Sequence, residues 1–185
     1  VFRRWLRRLG RVPERFVMLS QDVVKMFRRW KWEHRVRGGP GRRPRVLTVS
    51  TSNGKLSFSN MDAVIGRALY CDRAWECDLI ESTMTLLRRH GYVAHEPGDL
   101  MLDVGAHVGM ICIAMLKQRH FGAALAFEPV ADTFALLERN IRQNDMVGAV
   151  RPYACALSDA SGQTLMELSE HNFGDHRVRT ASRAA

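Results

Sequence analysis

Cysteine is scarce in this chain. Four occur in 185 residues, at positions 71, 77, 112 and 155. No pair has the two-to-four-residue spacing of a zinc site, and four irregular thiols do not make a disulfide framework. The expectation is a reducing compartment with free cysteines and no metal. Long apolar runs are also lacking. None approaches the roughly 20 residues of a membrane-spanning helix, and the first residues show no apolar signal region. Collagen-like periodicity, internal repeats and low-complexity tracts are missing as well. What remains is 46% apolar residues, enough to bury the core of one ordinary domain.

Acidic residues are rare only at the start. Residues 1–45 hold 15 Lys/Arg against 3 Asp/Glu, a net +12, while residues 46–185 hold 13 against 16, a net −3. The overall +9 therefore belongs to a basic leader. Pro13 and Glu14 suit the first turn of a helix. Phe16, Leu19, Val23, Phe27 and Trp30 then recur at spacings of three and four, one helical face, with Arg15, Lys25, Arg28, Arg29 and Lys31 largely off it. Gly38, Gly39, Pro40, Gly41 and Pro44 end the helix, so 38–45 reads as a linker. Three roles fit such a helix: docking its apolar stripe on the following domain, lying on an anionic membrane surface, or binding nucleic acid, the least favoured.

Residues 46–99 form a lead-in. Val46–Ser50 and Lys55–Ser59 read as strands around a Thr51-Ser-Asn-Gly54 turn. Asn60–Tyr70 and Glu76–His90 read as helices, and Glu96-Pro-Gly-Asp99 as a turn.

From residue 100 the pattern changes. Leu100–Val104 is a short apolar strand with Asp103 near its end, Gly105-Ala-His-Val-Gly109 a small-residue loop, and Met110–Leu116 a buried helix. Ala123–Phe127 is a second strand, closed by Glu128-Pro129. Asp132–Asn144 is a helix and Val150–Leu157 a third strand, with a further short one suggested at Gln163–Glu167. This alternation implies an α/β fold with a Rossmann-like, doubly wound parallel sheet, whose ligands bind beyond the carboxyl ends of the strands. Gly105 and Gly109 let the backbone turn sharply and approach a ligand. Glu128, 25 residues after Asp103, is placed to accept both hydroxyls of a ribose. A dinucleotide loop reads G-x-G-x-x-G so that pyrophosphate can meet the helix N-terminus. Here His107 stands where that middle glycine would be, which favours S-adenosylmethionine (SAM), a cofactor without phosphate, over NAD. His107 itself is expected to be a loop residue with a satisfied ring, and Cys112 a core residue.

Leu102–Gly109, Phe127-Glu-Pro129, Leu137-Glu-Arg-Asn140 and Ala156-Leu-Ser-Asp159 with Gly162 together resemble the FkbM-type SAM-dependent methyltransferases. Trp75-Glu76, Pro97-Gly-Asp99 and Asn172-Phe-Gly174 add weaker echoes, so the likeness covers about residues 55–177. It implies a class I fold and methyl transfer to a hydroxyl of a sugar, glycolipid, polysaccharide or natural product. The expected cofactor residues are Asp103, Gly105, Ala106, His107 and Gly109 around the methionine and ribose. Glu128 with Pro129 is expected at the ribose hydroxyls, and Ala156 and Leu157 near the adenine. No catalytic base is assigned. The family's later Lys-x-Asp-x-Glu-Gly strand is not found, and residues 176–185 read as a polar basic tail. The expectation is an incomplete copy with one sheet edge open and apolar, or else a short member completed by a partner chain. The expected organisation is leader 1–45, lead-in 46–99 and the first half of a SAM-binding domain at 100–185, in a cytoplasmic protein that touches the membrane at most peripherally. A non-catalytic binding module and an NAD-dependent oxidoreductase stand as the alternatives.

Overall fold

The computed structural model describes residues 14–38, 41, 43–93 and 98–179, with side chains described from residue 21. Residues 1–13, part of the glycine-rich linker and the first half of the Glu96–Asp99 turn lie outside them.

The leader forms helix α1 (Glu14–Lys31), which runs into a single π-helical turn at Trp32–Val36. Its apolar stripe does not face the rest of the chain. Val23, Phe27 and Trp30 are exposed, together with Val24 and Met26. The basic side faces inward instead: Lys25 and Arg29 reach Asp72 at 2.7 and 3.4 Å, and an Arg28 guanidinium nitrogen donates to the Cys71 carbonyl at 3.4 Å. One residue past the helix, Trp32 is wholly buried and packs on Tyr70 with ring centroids 5.5 Å apart. Docking of the stripe on the domain is thereby overturned for the described residues. No helix among them is long and apolar enough to cross a membrane.

Strands β1 (Val46–Thr51) and β2 (Gly54–Ser59) pair antiparallel, Thr51 facing Gly54, so the turn is the two residues Ser52-Asn53. Asn60 fastens both ends of the linker. Its side chain accepts the Arg45 N–H and donates to the Val36 carbonyl, and its own carbonyl accepts the Gly38 N–H. The helix expected at 60–70 starts late, as α2 (Ile65–Cys71). Asp62 holds the preceding turn by accepting the N–H groups of Val64 and Ile65, an aspartate competing locally with helix. Helix α3 (Cys77–Arg89) follows.

β3 (Leu100–Val104), α4 (Met110–Lys117), β4 (Ala123–Phe127), α5 (Ala131–Gln143) and β5 (Val150–Tyr153) alternate as expected, and the strands form one parallel sheet in the order β3-β4-β5. Two parallel crossovers of one hand place both helices on the same sheet face. The β1–β2 hairpin packs on those helices through Asn140, which is fully buried. Its side chain accepts the Ser57 N–H at 2.7 Å and donates to the carbonyls of Ser57 and Val108. One apolar cluster therefore runs from Trp32 through Phe58 and Leu69 to Val108, Ile113 and Leu137. The other side of β3 is open: Leu100, Leu102 and Val104 are 54%, 60% and 61% exposed, and β3 is an edge strand among the described residues.

Two strand expectations are corrected. β5 ends at Tyr153, four residues early, and Cys155, Ala156 and Leu157 beyond it line a cavity described below. The short segment near 163–167 narrows to β6 (Met166–Glu167). It pairs antiparallel with β7 (Arg177–Val178), inside the expected irregular tail, and stays apart from the main sheet.

Candidate cofactor site at the glycine loop

The loop after β3 is held to the neighbouring strand by its backbone. The N–H groups of Gly105 and Ala106 both donate to the Phe127 carbonyl at 2.9 Å. Gly105 has φ +80°, and a Cβ there would meet nothing within 4 Å. Gly109 also has a positive φ, but a Cβ there would lie 2.7 Å from Leu137. The first glycine shapes the loop on its open side, and the second lets α4 and α5 pack.

Beyond the carboxyl ends of β3 and β4 lies a cavity of about 440 Å³. Gly105, His107, Glu128, Pro129, Ala156 and Leu157, six of the nine expected residues, line it. Asp103, Ala106 and Gly109 are not among its lining residues. The Asp103 carboxylate instead accepts the Cys112 N–H at 3.2 Å, in the first turn of α4. There it complements the positive end of the helix, while burial pushes its pKa up against the lowering effect of the Cys112 hydrogen bonds. Ala106 is packed in the core. The core expectation for Cys112 holds: it is fully buried, and burial raises its thiol pKa.

Glu128 is 5% exposed, with one oxygen accepting the His107 N–H at 3.0 Å and the other the Val130 N–H at 2.8 Å. Burial raises its pKa and these two hydrogen bonds oppose the rise. Each carboxylate oxygen has a second lone pair left for a ligand donor.

His107 departs from expectation. Its ring is not satisfied: the residue is 5% exposed, and neither ring nitrogen has a hydrogen-bond partner among the described residues. Its backbone sits in the left-handed region at φ +51°. Burial, with a contribution from His176, pushes its pKa down to about 4.

Several wall residues escaped the sequence reading. Trp75 is fixed by the hairpin turn, where Asn53, fully buried, donates to the Trp75 carbonyl and accepts the Trp75 N–H at 2.8 Å. A third Asn53 bond, again donated by the side-chain amide, reaches the carbonyl of Met110 at the start of α4. The Asn-Gly pair signals a turn and nothing more, so this tether was not legible. Phe173, Gly174 and His176 come from the segment between β6 and β7. Gly174 lies so close to Ile65 that a Cβ would come within 2.6 Å of it. His176 accepts the Ser169 N–H through Nδ1 at 2.9 Å, which puts the proton of its neutral ring on Nε2. Of these, Trp75 and Asn172-Phe-Gly174 appear among the weaker motif echoes, while His176 has no motif signal. No lysine or arginine is among the described residues that line the cavity.

Comparison with known proteins places this geometry. No family model matches the chain. Over 71 residues it is 31% identical to the methyltransferase sdnD of Sordaria araneosa, covering 38% of this chain and 27% of that protein. Over 75 residues it is 40% identical to the 31-O-demethyl-FK506 methyltransferase FkbM of Streptomyces tacrolimicus, covering 40% of this chain and 27% of that one. The chain thus spans about a quarter of the length of these curated relatives. Among solved structures, Methanocaldococcus jannaschii Trm5 aligns with 75% of this chain and 40% of its own at 19% identity and a TM-score of 0.43. The described residues thus carry a parallel α/β sheet in the order β3-β4-β5, and about 40% of the chain is similar in sequence to methyltransferases.

Proposed function

We propose that the chain carries the cofactor-binding part of a SAM-dependent O-methyltransferase. Its acceptor would be a hydroxyl group of a sugar, glycolipid, polysaccharide or natural product. The observation that carries this reading is the cavity itself. A glycine loop, a strand-terminal glutamate and apolar walls meet at the carboxyl ends of parallel strands, with no lysine or arginine among the described lining residues. Dinucleotides need a free helix N-terminus for pyrophosphate, and here the Asp103 carboxylate holds the first turn of α4. That supports a phosphate-free nucleoside over NAD.

The residues present fit SAM. Glu128 would accept the ribose hydroxyls with its remaining lone pairs, Pro129 beside it. Gly105 leaves room for the ligand backbone, and Ala156 and Leu157 would lie against the base. Asp103, Ala106 and Gly109 would act behind the loop, holding its shape. When bound, the cofactor supplies an electrophilic methyl group on a sulfonium sulfur. The chain's part is to orient it and to exclude water, which is where positioning contributes most. We assign residues 1–45 as leader, 46–99 as the lead-in that supplies Trp75, and 100–185 as the cofactor-binding segment.

The test is calorimetric titration of the full chain with S-adenosylhomocysteine and, separately, with NAD. Binding of the first alone, lost in Glu128→Ala, is the expected result. Binding of NAD alone, or of neither, would overturn the reading.

A second reading concerns the leader. Five apolar side chains of α1 face outward while its cations point both inward and around the edge. This supports a peripheral contact with an anionic membrane surface, at the cytoplasmic face, over nucleic acid binding. Flotation with vesicles containing phosphatidylserine tests it. Flotation that survives excess RNA and falls in Phe27→Ala/Trp30→Ala is expected. Flotation abolished by RNA would contradict it.

A further inference from the structure

The cations around the leader fall into two groups. Lys25 and Arg29 pair with Asp72, while Arg37 and Arg67 share Glu33 at 3.5 and 3.0 Å. The second group lines a separate cavity of about 380 Å³ where the end of the leader meets the hairpin, formed by His34, Arg35, Arg43, Arg45 and Asn60. No carboxylate is among these lining residues, and none of the three arginines has an ion pair among the described residues. Like charges around one space repel one another. The side chains are nonetheless held in place. Asn60, 1% exposed, accepts the Arg45 N–H at 2.7 Å, and its own N–H donates to the Arg45 carbonyl at 2.9 Å. The Arg45 guanidinium donates to the Arg35 carbonyl at 3.2 Å, and the Arg35 guanidinium lies over the Trp30 ring, 5.8 Å from its centroid. His34 donates through Nδ1 to the Trp30 carbonyl at 2.8 Å.

We propose that this cavity is an anion site that takes a phosphate monoester, the terminal group of a phosphorylated metabolite or of an anionic lipid headgroup. It shares no lining residue with the cofactor cavity and does not rest on the reading of that cavity. A phosphate monoester carries about −1.5 to −2 charge near neutral pH, on three terminal oxygens. It can therefore engage several guanidinium forks at once, each through parallel N–H···O bonds. A carboxylate brings a single charge and two oxygens, too few for three arginines. A nucleic-acid backbone is followed by an extended groove of cations, whereas these converge on one concave space. Trp30, which His34 stacks on and Arg35 covers, belongs to the exposed stripe of α1. The cavity thus adjoins the face that the leader offers to a lipid surface.

The test compares full-length wild type with Arg43→Gln/Arg45→Gln and with Arg139→Gln/Arg142→Gln. The second pair removes the same charge from exposed positions on α5, outside the cavity. Each protein is titrated with glycerol 3-phosphate at constant ionic strength. Each is also floated with phosphatidylcholine vesicles carrying phosphatidic acid or phosphatidylserine at equal surface charge. Arg43 and Arg45 are exposed, so all three proteins should melt at the same temperature. The expected result is binding of glycerol 3-phosphate, or a preference for phosphatidic acid over phosphatidylserine. That binding should weaken at least about tenfold in Arg43→Gln/Arg45→Gln and no more than about twofold in Arg139→Gln/Arg142→Gln. Binding of the soluble ester assigns the site to a phosphorylated metabolite. A preference for phosphatidic acid without it assigns the site to a lipid headgroup. Equal losses in the two variants would reduce the effect to net charge and overturn the site, as would wild type that favours the monoester in neither assay. RNA bound through Arg43 and Arg45, with neither monoester bound, overturns it in favour of nucleic acid. Flotation on phosphatidylserine that persists while both monoester probes fail sinks this site and leaves the leader's membrane contact standing.

Discussion

The leading helix and the glycine loop break the apolar-inside, polar-outside rule in opposite directions. On α1, Phe27 and Trp30 lie outside while Lys25 and Arg29 turn inward to Asp72. In the loop, an unpaired His107 lies inside. Exposed aromatics that stack on close neighbours in sequence, as Phe27, Trp30 and His34 do with Arg35 over Trp30, gain little from the rest of the fold. A buried imidazole without partners costs the fold something. Both departures acquire a physical reason when a molecule from outside the chain completes the contact, a lipid surface in one case and a small polar ligand in the other. The buried polar residues Asn53 and Asn140 are the counterexample that sharpens the point. Their hydrogen bonds close within the chain, so they glue elements together and need no ligand.

The contrast is sharpest between two tryptophans two residues apart. Trp32 is fully buried, and Trp32→Ala should cost about 3–5 kcal/mol of stability. Trp30→Ala should change stability by no more than about 0.5 kcal/mol. Denaturant unfolding of both variants measures this. Similar losses would mean that the exposed stripe is held by the domain after all.

pH tests the loop next. His107 has a folded-state pKa below its unfolded value, so its contribution to stability is complete above pH 6.5. It is lost as pH falls toward about 4. The full shift corresponds to about 3 kcal/mol at most. His176, also shifted down by burial, titrates in the same direction, while the raised carboxyl groups of Asp103 and Glu128 act with opposite sign. The difference between wild type and His107→Phe isolates the one ring. The variant should lose less stability between pH 7 and pH 4.5, and parallel profiles would show that the ring is not held neutral.

The leader predicts a smaller effect. Phe27→Ala/Trp30→Ala should weaken binding to anionic vesicles by about tenfold while leaving the affinity for S-adenosylhomocysteine unchanged. The smallest expected change is at the open side of β3. Leu102→Lys should alter stability by less than about 0.5 kcal/mol and reduce aggregation, since a charge on an edge strand discourages pairing between copies. Light scattering on heating reads it.

Much of the second half of the chain was legible because its signals are local. Short apolar strands, a two-glycine loop and a glutamate after the second strand fix the order β3-α4-β4-α5-β5, with bounds within a residue or so except at the end of β5. Six of the nine expected cofactor residues share one cavity for the same reason. What escaped was long-range. The amphipathic pattern of α1 shows that a face exists but not which way it points, and ion pairs to Asp72 decided that. Asn53 reads as a turn residue, yet it tethers Trp75 from 22 positions away. Met166, Phe173 and His176 reach the cavity from a segment whose two-residue strands have no periodicity to detect. For His107, its identity suggested an ordinary loop side chain, and only the packing around it left the ring without a partner.

The most direct measurement is a crystal structure of the full chain with S-adenosylhomocysteine. The predicted result is the nucleoside in the cavity at the ends of β3 and β4, its ribose hydroxyls on Glu128 and a hydrogen bond from the His107 ring to the ligand. Ligand bound elsewhere on the chain, or a His107 ring still without a partner beside an occupied cavity, would contradict it.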